Sequence, residues 1–334
     1  MFRYFVQRLL VMIPTLIVIS IAIFVIIQAP PGDWIETYIA QLESQGEAVD
    51  PAKIEFLRKT YGLDLPFYMQ YLKWAGGLVQ GDLGFSFEHS LPVNEVVGDR
   101  LWLTVVVSLA SIVFVWVISF PIAVYSAVRQ YSIGDYLFTF LGYIGLATPS
   151  FLLALILLYL AKEYFDISIG GLMDPQYMNA SWSWDKFQSI LSHLWIPVLV
   201  IGLPGTAGMI RRLRANLLDE LNKQYVTTGR AKGLPPGPLL IKYPLRISLN
   251  PFIADIGSLL PELISGSVIV SVVMALPLTG PMLLDSLRSQ DMYLAGSFLM
   301  FMAFLTVIGV FISDIMLALL DPRIRLGAGA SKRT

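Results

Sequence analysis

The sequence predicts an all-α integral membrane protein with six transmembrane helices. An outer insert of short helices lies between the first and second spans, and a short cytoplasmic helix between the fourth and fifth. Three observations carry this prediction. The chain has 334 residues and is 56% hydrophobic but only 14% charged, against about 25% charged residues in soluble domains. Its apolar residues fall into long runs of the length a bilayer requires. Its basic residues concentrate in alternate loops, the asymmetry that sets orientation.

Residues 9–29 are uncharged and long enough to cross. The run exceeds a signal-peptide core, and Gln28-Ala29-Pro30-Pro31 is a poor cleavage site, so it reads as a retained span. Residues 30–100 lie outside and are too many for a bare loop. Asp50-Pro51 is an N-cap followed by an N1 proline. Ile54, Leu57 and Tyr61 then recur at helical spacing until Gly62. Pro66 opens a second short helix carrying Tyr68, Tyr71, Leu72, Ala75 and Leu78, closed by Gly81-Asp82-Leu83-Gly84. Such amphipathic helices suit a membrane surface or a folded lid over the spans. Further spans follow at 101–128, 136–161, 194–210, 251–276 and 294–320. The run 194–210 is short and contains Pro197 and Pro204, so residues before it must extend it. Trp182, Trp184 and Trp195 at the end of the outer loop 163–193 read as interfacial anchors.

Loops 1–8, 129–135, 211–249 and 321–334 carry 15 Lys/Arg and 4 Asp/Glu, whereas the opposite loops carry 8 and 17. Both termini are therefore expected in the cytoplasm. There is no cysteine, which excludes disulfides and thiolate metal sites, and the only histidines, His89 and His193, are far apart. No Gly-Lys pair occurs, so no Walker A loop is present to cradle nucleotide phosphates. No Gly-x-Ser-x-Gly elbow and no His-Glu-x-x-His pair occurs. The chain is read as a non-enzyme with no cofactor of its own, embedded in lipid and with no nucleic-acid partner.

Three acidic residues fall within spans: Asp255, Glu262 and Asp314. Charge inside a membrane is expensive and usually faces a cavity or a partner. Asp255 and Glu262 are two helical turns apart and share a face. With Ser271 they are the candidate translocation-path residues; satisfaction near helix ends is the competing reading. Asp314 sits where Arg323 or Arg325 can pair with it. The loop 211–249 is the other focus. Arg211, Arg212, Arg214, Lys223, Arg230, Lys232, Lys242 and Arg246 make it basic. Residues 217–232 have helical character, and Gly233 followed by Leu234-Pro235-Pro236-Gly237-Pro238 must end it. A short capped helix of this kind serves equally as a peg for another protein or as a headgroup-binding loop.

An ordered set of motifs spans nearly the whole chain. Met1-Phe2-Arg3-Tyr4, Arg8-Leu9-Leu10, Ile13-Pro14 and Pro31-Gly32-Asp33 open it. Gly81-Asp82-Leu83-Gly84-Phe85-Ser86, Pro92-Val93 and Arg100-Leu101 lie in the insert. Thr148-Pro149-Ser150-Phe151, the stretch 227–233 with Leu234, and Leu320-Asp321-Pro322-Arg323-Ile324-Arg325 follow. In these the chain resembles the permease subunits of the peptide/nickel class of ATP-binding-cassette importers, the first of the paired permeases in particular. The departures are Gly229 where alanine is usual, Asn250-Pro251 for Leu-Pro, Ser271 for a frequent glutamate, and Leu276-Pro277-Leu278-Thr279-Gly280 for a more glycine-rich pattern.

The resemblance implies a bacterial or archaeal plasma (inner) membrane location. It also implies a second homologous permease, two cytoplasmic ATPase subunits that bind ATP and Mg, and an extracytoplasmic solute-binding protein. The divisions expected are 1–29 (cytoplasmic N-terminus and first span), 30–100 (outer insert), 101–320 (permease core) and 321–334 (cytoplasmic tail). The ATPase-coupling role falls on Tyr225, Thr228, Arg230, Ala231, Lys232 and Gly233. The alternative from the residues alone is an ion-coupled secondary transporter, a homodimer using Asp255 and Glu262.

Overall fold

A computed structural model describes residues 2–30, 32, 34–46, 50–98, 100–165, 170–178 and 180–320. Within helices, the side chains at 41, 60, 61, 165, 255–258, 260, 261 and 263 also lie outside the description. Among the described residues, four helices precede a small ladder: α1 (Phe2–Gln28), α2 (Trp34–Ser44), α3 (Pro51–Tyr61) and α4 (Phe67–Val79). The ladder is antiparallel, β1 (Phe85–Ser86) on β2 (Leu91–Pro92), with Phe85 opposite Pro92. There follow α5 (Val93–Val97), α6 (Arg100–Val128), α7 (Ile133–Ala147), α8 (Ser150–Phe165), α9 (Trp184–Leu221) and α10 (Gln224–Ala231). The last are α11 (Pro236–Lys242), α12 (Pro244–Ser248), α13 (Asn250–Val273), α14 (Thr279–Arg288) and α15 (Met292–Leu320).

Among the described residues, α1, α6, α9 and α15 are each long and apolar enough to cross a membrane, and the bent pair α7–α8 is a fifth candidate. Helices apolar around their whole circumference belong in lipid, so the chain is an all-α membrane protein. The run 136–161, expected as one straight span, is bent by 101° between α7 and α8. Pro149 is the cause. It has no N–H to continue the helix, and it forces Thr148 into an extended conformation, φ −83° and ψ 118°. The Thr148 hydroxyl donates to the Ile144 carbonyl at 2.8 Å, which satisfies part of the severed end.

The run 194–210 is the middle of α9, a helix of 38 residues that passes through Pro197 and Pro204. Ser183 caps it by accepting from the Lys186 backbone N–H at 3.2 Å. At about 1.5 Å per residue it is roughly 57 Å long, well beyond a hydrocarbon core of about 30 Å. A Cβ on Gly202 would lie 2.8 Å from Phe114, so the glycines of this run let α6 approach α9 closely.

Two compact units divide the described chain. The first is built on Leu103–Pro277 with the start of α1 and the end of α15; the second combines Leu9–Trp102 with Leu278–Val307. In the first, α7, α8, α12 and α13 pack on α9. Its apolar core includes Val115, Ala123, Met209, Leu213 and Phe252, all nearly inaccessible. Asp314 lies in this unit and pairs with Arg8 at 2.9 Å. Arg323 and Arg325, the partners expected for it, lie outside the described residues.

The second unit centres on aromatic rings. Phe24 meets Phe67 edge-on at 5.0 Å and Tyr71 at 5.5 Å, and Phe87 meets Tyr293 at 5.4 Å. Gly84, at φ +86°, lies so close to the Tyr293 ring that no Cβ fits there. α3 is capped at both ends: the Asp50 carboxylate accepts from the Ala52 N–H, and Gly62 sits at φ +70°. A buried carboxylate that the sequence reading did not single out ties the ladder to α15. Asp291 accepts the Ser86 hydroxyl at 2.6 Å, the Glu88 N–H at 3.2 Å and the Leu294 N–H at 3.2 Å. Asp291→Ala removes an N-cap and leaves buried donors unmet, a cost of about 2–4 kcal/mol. The thermal unfolding midpoint of the detergent-solubilised chain should fall by several degrees, with Asp291→Asn intermediate.

Candidate functional site

The segment 222–239 is a compact peg. α9 stops at Leu221 because Asn222 competes with the helix, its amide donating back to the Leu218 carbonyl at 3.0 Å. Lys223 is extended, φ −72° and ψ 149°, and restarts the chain as α10. The helix expected over 217–232 is thus two helices with a break at 222–223. α10 ends in a complete Schellman motif: the Gly233 N–H reaches the Arg230 carbonyl at 3.0 Å, and the Leu234 N–H reaches the Gly229 carbonyl at 3.2 Å. Gly233 sits at φ +77°, a region that side chains disfavour.

Burial divides α10 into two faces. Val226 and Gly229 are buried, while Thr228, Arg230, Ala231, Lys232 and Gly233 are exposed. A Cβ at Gly229 would stand 2.5 Å from Leu239 Cδ1. Glycine therefore fits where alanine is usual in the resembled family, because α11 presses its buried Leu239 there. Tyr225, half-buried, donates its hydroxyl to Glu220 at 2.5 Å. Burial, and then the hydrogen bond it donates to the Glu220 carboxylate, push this phenol above its ordinary range. The bond therefore keeps its proton through the neutral range and fixes α10 to the end of α9. Five of the six residues assigned to coupling share the open face or its cap, and the sixth anchors it.

Below the peg, Asp135 at the start of α7 accepts from Arg214 Nε at 2.8 Å and Nη2 at 2.7 Å. The Asp135 side chain is only 3% exposed. This bidentate pair clamps α7 to the part of α9 that carries α10.

The second location is a cavity of about 460 Å³ walled by α6, α7, α8, α9 and α13. Its lining is mostly apolar but includes Arg211, Arg212 and Glu262. Ser271 is not among the lining residues; it is buried and donates to the Ser267 carbonyl at 2.7 Å. The side chain of Asp255 lies outside the described residues. Of the candidate path positions whose side chains are described, Glu262 lines the cavity and Ser271 does not. Among the described residues no group of His, Cys, Asp and Glu is placed to hold a metal ion.

The model of the binding-protein-dependent transport system inner membrane component family matches residues 119–326. That of the N-terminal part of such membrane components matches residues 1–110. The chain belongs to this family. It is 37% identical over 325 residues to the oligopeptide transport system permease protein AppB of Bacillus subtilis, covering 97% of this chain and 99% of that one. A putative peptide permease protein of Brucella ovis is 32% identical, covering 98% and 100%. The dipeptide transport system permease protein DppB of Escherichia coli K12 is 26% identical, covering 97% and 99%. The chain is a multi-pass inner membrane permease of an ATP-binding-cassette importer, not an enzyme, and it works with a partner permease, an ATPase and a solute-binding protein.

The permease holds functional geometry that sequence reading missed. Glu220, Asp135 and Leu239 buttress the peg, yet none stands at a helical repeat from the residues it supports. Arg211 and Arg212 were legible as part of a basic loop, but their place in the same cavity lining as Glu262 was not, because it depends on α9 continuing past 210.

Proposed function

We propose that this permease forms half of a translocation path for peptides and is driven through α10. The observation that carries the reading is the peg itself: an exposed face on a helix whose back is buried and whose ends are both fixed. A headgroup-binding loop needs charge but no such rigidity. The peptide assignment draws on what the relatives are named for. In this reading α10 is the coupling helix. Tyr225, Thr228, Arg230, Ala231, Lys232 and Gly233 dock it in a groove of one of two cytoplasmic ATPases. ATP and Mg are bound by those ATPases, and this chain carries no cofactor. Nucleotide binding shifts the population between inward-open and outward-open states by moving the peg.

The permease has six spans, with α7–α8 and α13 supplying the third and fifth, and both termini are cytoplasmic. Residues 1–29, 30–100, 101–320 and 321–334 are first span, outer insert, core and tail. The path runs along α13 past Asp255, Glu262 and Ser271. Ser271 is already satisfied within its helix, so Glu262 carries most of that assignment. Purification of the tagged chain in mild detergent should recover a second permease and ATPase chains with ATP turnover. Recovery of a homodimer without ATPase would reject the reading.

A further inference from the structure

The C-terminal end of α15 is held from α12, α13 and α1. The last carbonyls of a helix have no partner within it, and a cation placed beside them also meets the negative end of the helix dipole. Arg246 of α12 supplies both: its Nη2 donates to the Leu320 carbonyl, at the last residue of α15, at 2.9 Å. Further back on the same helix, buried Ser313 donates to the Ile253 carbonyl at 2.5 Å and to that of Ala254 at 3.1 Å, near the start of α13. On the side of α1, Asp314 pairs with Arg8, and Phe311 meets Phe5 edge-on at 5.1 Å.

The holds from α12 and α13 lead back to the peg. Leu239 of α11 lies against Gly229 of α10, and Leu245 of α12 packs with Leu217 near the end of α9. Pro244, Leu245 and Ser248 are buried, whereas Arg246 is exposed. α12 therefore seats one face in the block that carries α10 and extends a single cation to α15. The two holds do different work. A rod fixed at Ser313 alone pivots about it; a second hold seven residues further on, about 10 Å along the helix, fixes its direction. The Ser313 bonds are buried, while the Arg246 bond is exposed and charge-assisted, so it is the one free to form and break as the block moves.

We infer that Arg246 is the positioning residue that makes the last span follow the peg. With its bond in place, displacement of α10 carries the C-terminal end of α15 along, together with the start of α1 that rides on Asp314. Without it, α15 pivots about Ser313 and its end stays behind. The inference rests on the reading of α10 as the driven helix, and deepens it by naming how the push reaches the last span.

The test uses the complete transporter in lipid nanodiscs, with any cysteines of the partner subunits replaced by serine. Two spin-labelled pairs share Val128→Cys at the end of α6 as reference: Gln224→Cys reports the peg and Leu319→Cys reports α15, all at exposed positions. Spin–spin distances are measured without nucleotide and with ATP and vanadate. Both pairs should shift with nucleotide in the transporter with native Arg246. In Arg246→Ala the 128/224 shift should remain and the 128/319 shift should be lost. Arg246→Lys should keep both, since an ammonium still donates to a carbonyl. The thermal unfolding midpoint of Arg246→Ala should stay unchanged, because the residue is exposed, which separates positioning from a merely structural role. A 128/319 shift as large in Arg246→Ala as with native Arg246 overturns the inference, as does a static 128/319 distance with native Arg246 while 128/224 shifts. Loss of the ATPase from the Arg246→Ala transporter overturns it in favour of a docking contact. A static 128/224 distance with native Arg246 sinks the reading of α10 as the driven helix, and the inference with it.

Discussion

Gly233→Pro should abolish ATP-driven uptake while leaving the permease inserted in the membrane and assembled with its partners. The substituted ring locks φ near −65°, whereas the native value is +77°. It also deletes the N–H that closes the Schellman motif on the Arg230 carbonyl. The last turn of α10 then loses its cap, and the exposed face carrying Thr228, Ala231 and Lys232 loses its fixed orientation. The spans are untouched because the break lies beyond Leu221, where α9 has already ended. Lys232→Glu tests the same surface without backbone strain. It reverses the charge of an exposed residue that no described contact holds in place, so the fold should survive and the docking should not. The readout is the ratio of peptide taken up to ATP hydrolysed. It should fall at least tenfold in both variants while ATPase turnover continues. Unchanged uptake in both would remove α10 from the coupling role.

Arg214→Ala should strongly destabilise the first unit. Asp135 would be left with its side chain 3% exposed, keeping the Tyr131 N–H but losing its two guanidinium bonds. Breaking a buried pair from one side costs about 3–5 kcal/mol. Arg214→Lys should restore little, since a point-charge ammonium cannot reproduce a bidentate fork. Replacing both residues, Asp135→Ala with Arg214→Ala, should cost less than Arg214→Ala alone, because no uncompensated charge then remains buried. Thermal unfolding of the four variants in detergent closes a double-mutant cycle. If the double variant is as unstable as the sum of the singles, the pair is not coupled and the clamp between α7 and α9 does no work. Uptake should follow stability here, in contrast to Gly233→Pro, where uptake falls with the fold intact.

Much of this architecture was legible because it depends on local chemistry. Long apolar runs locate α6 and α15 to within two residues and the end of α1 to within one, but α1 begins at Phe2, seven residues before the run at 9–29. Asp50-Pro51 and Gly62 bound α3, and Gly233 ends α10. What escaped depends on chain segments far apart. Asp135 and Arg214 are 79 residues apart, and Ser86 and Asp291 are 205 apart; no periodicity links them. The 101° bend at Thr148-Pro149 escaped for another reason. Hydropathy runs unbroken across it, and composition cannot distinguish a proline that a helix tolerates from one that ends it. Pro197 and Pro204 within α9 are the tolerated kind. Glu262 was chosen for being a charge in an apolar run, and it does open on a cavity. Ser271 was chosen for departing from a family pattern, a weaker criterion, and it is satisfied within its own helix. Family membership leaves the ion-coupled alternative without support, since the relatives are components of binding-protein-dependent systems.

The most direct test of the central claim exploits the absence of cysteine from the chain. Thr228→Cys places a sole thiol on the exposed face of α10. It is fitted with a short thiol-linked photocrosslinker and irradiated in native membranes, with and without ATP. The account predicts a single major adduct of the tagged chain to an ATPase subunit, with a yield that changes with nucleotide. Ile26→Cys, on the lipid-exposed side of α1, should give no such adduct. Equal low yields at both positions, or adducts of Thr228→Cys to lipid alone while the ATPase still co-purifies, would contradict the claim that this peg is the point of coupling.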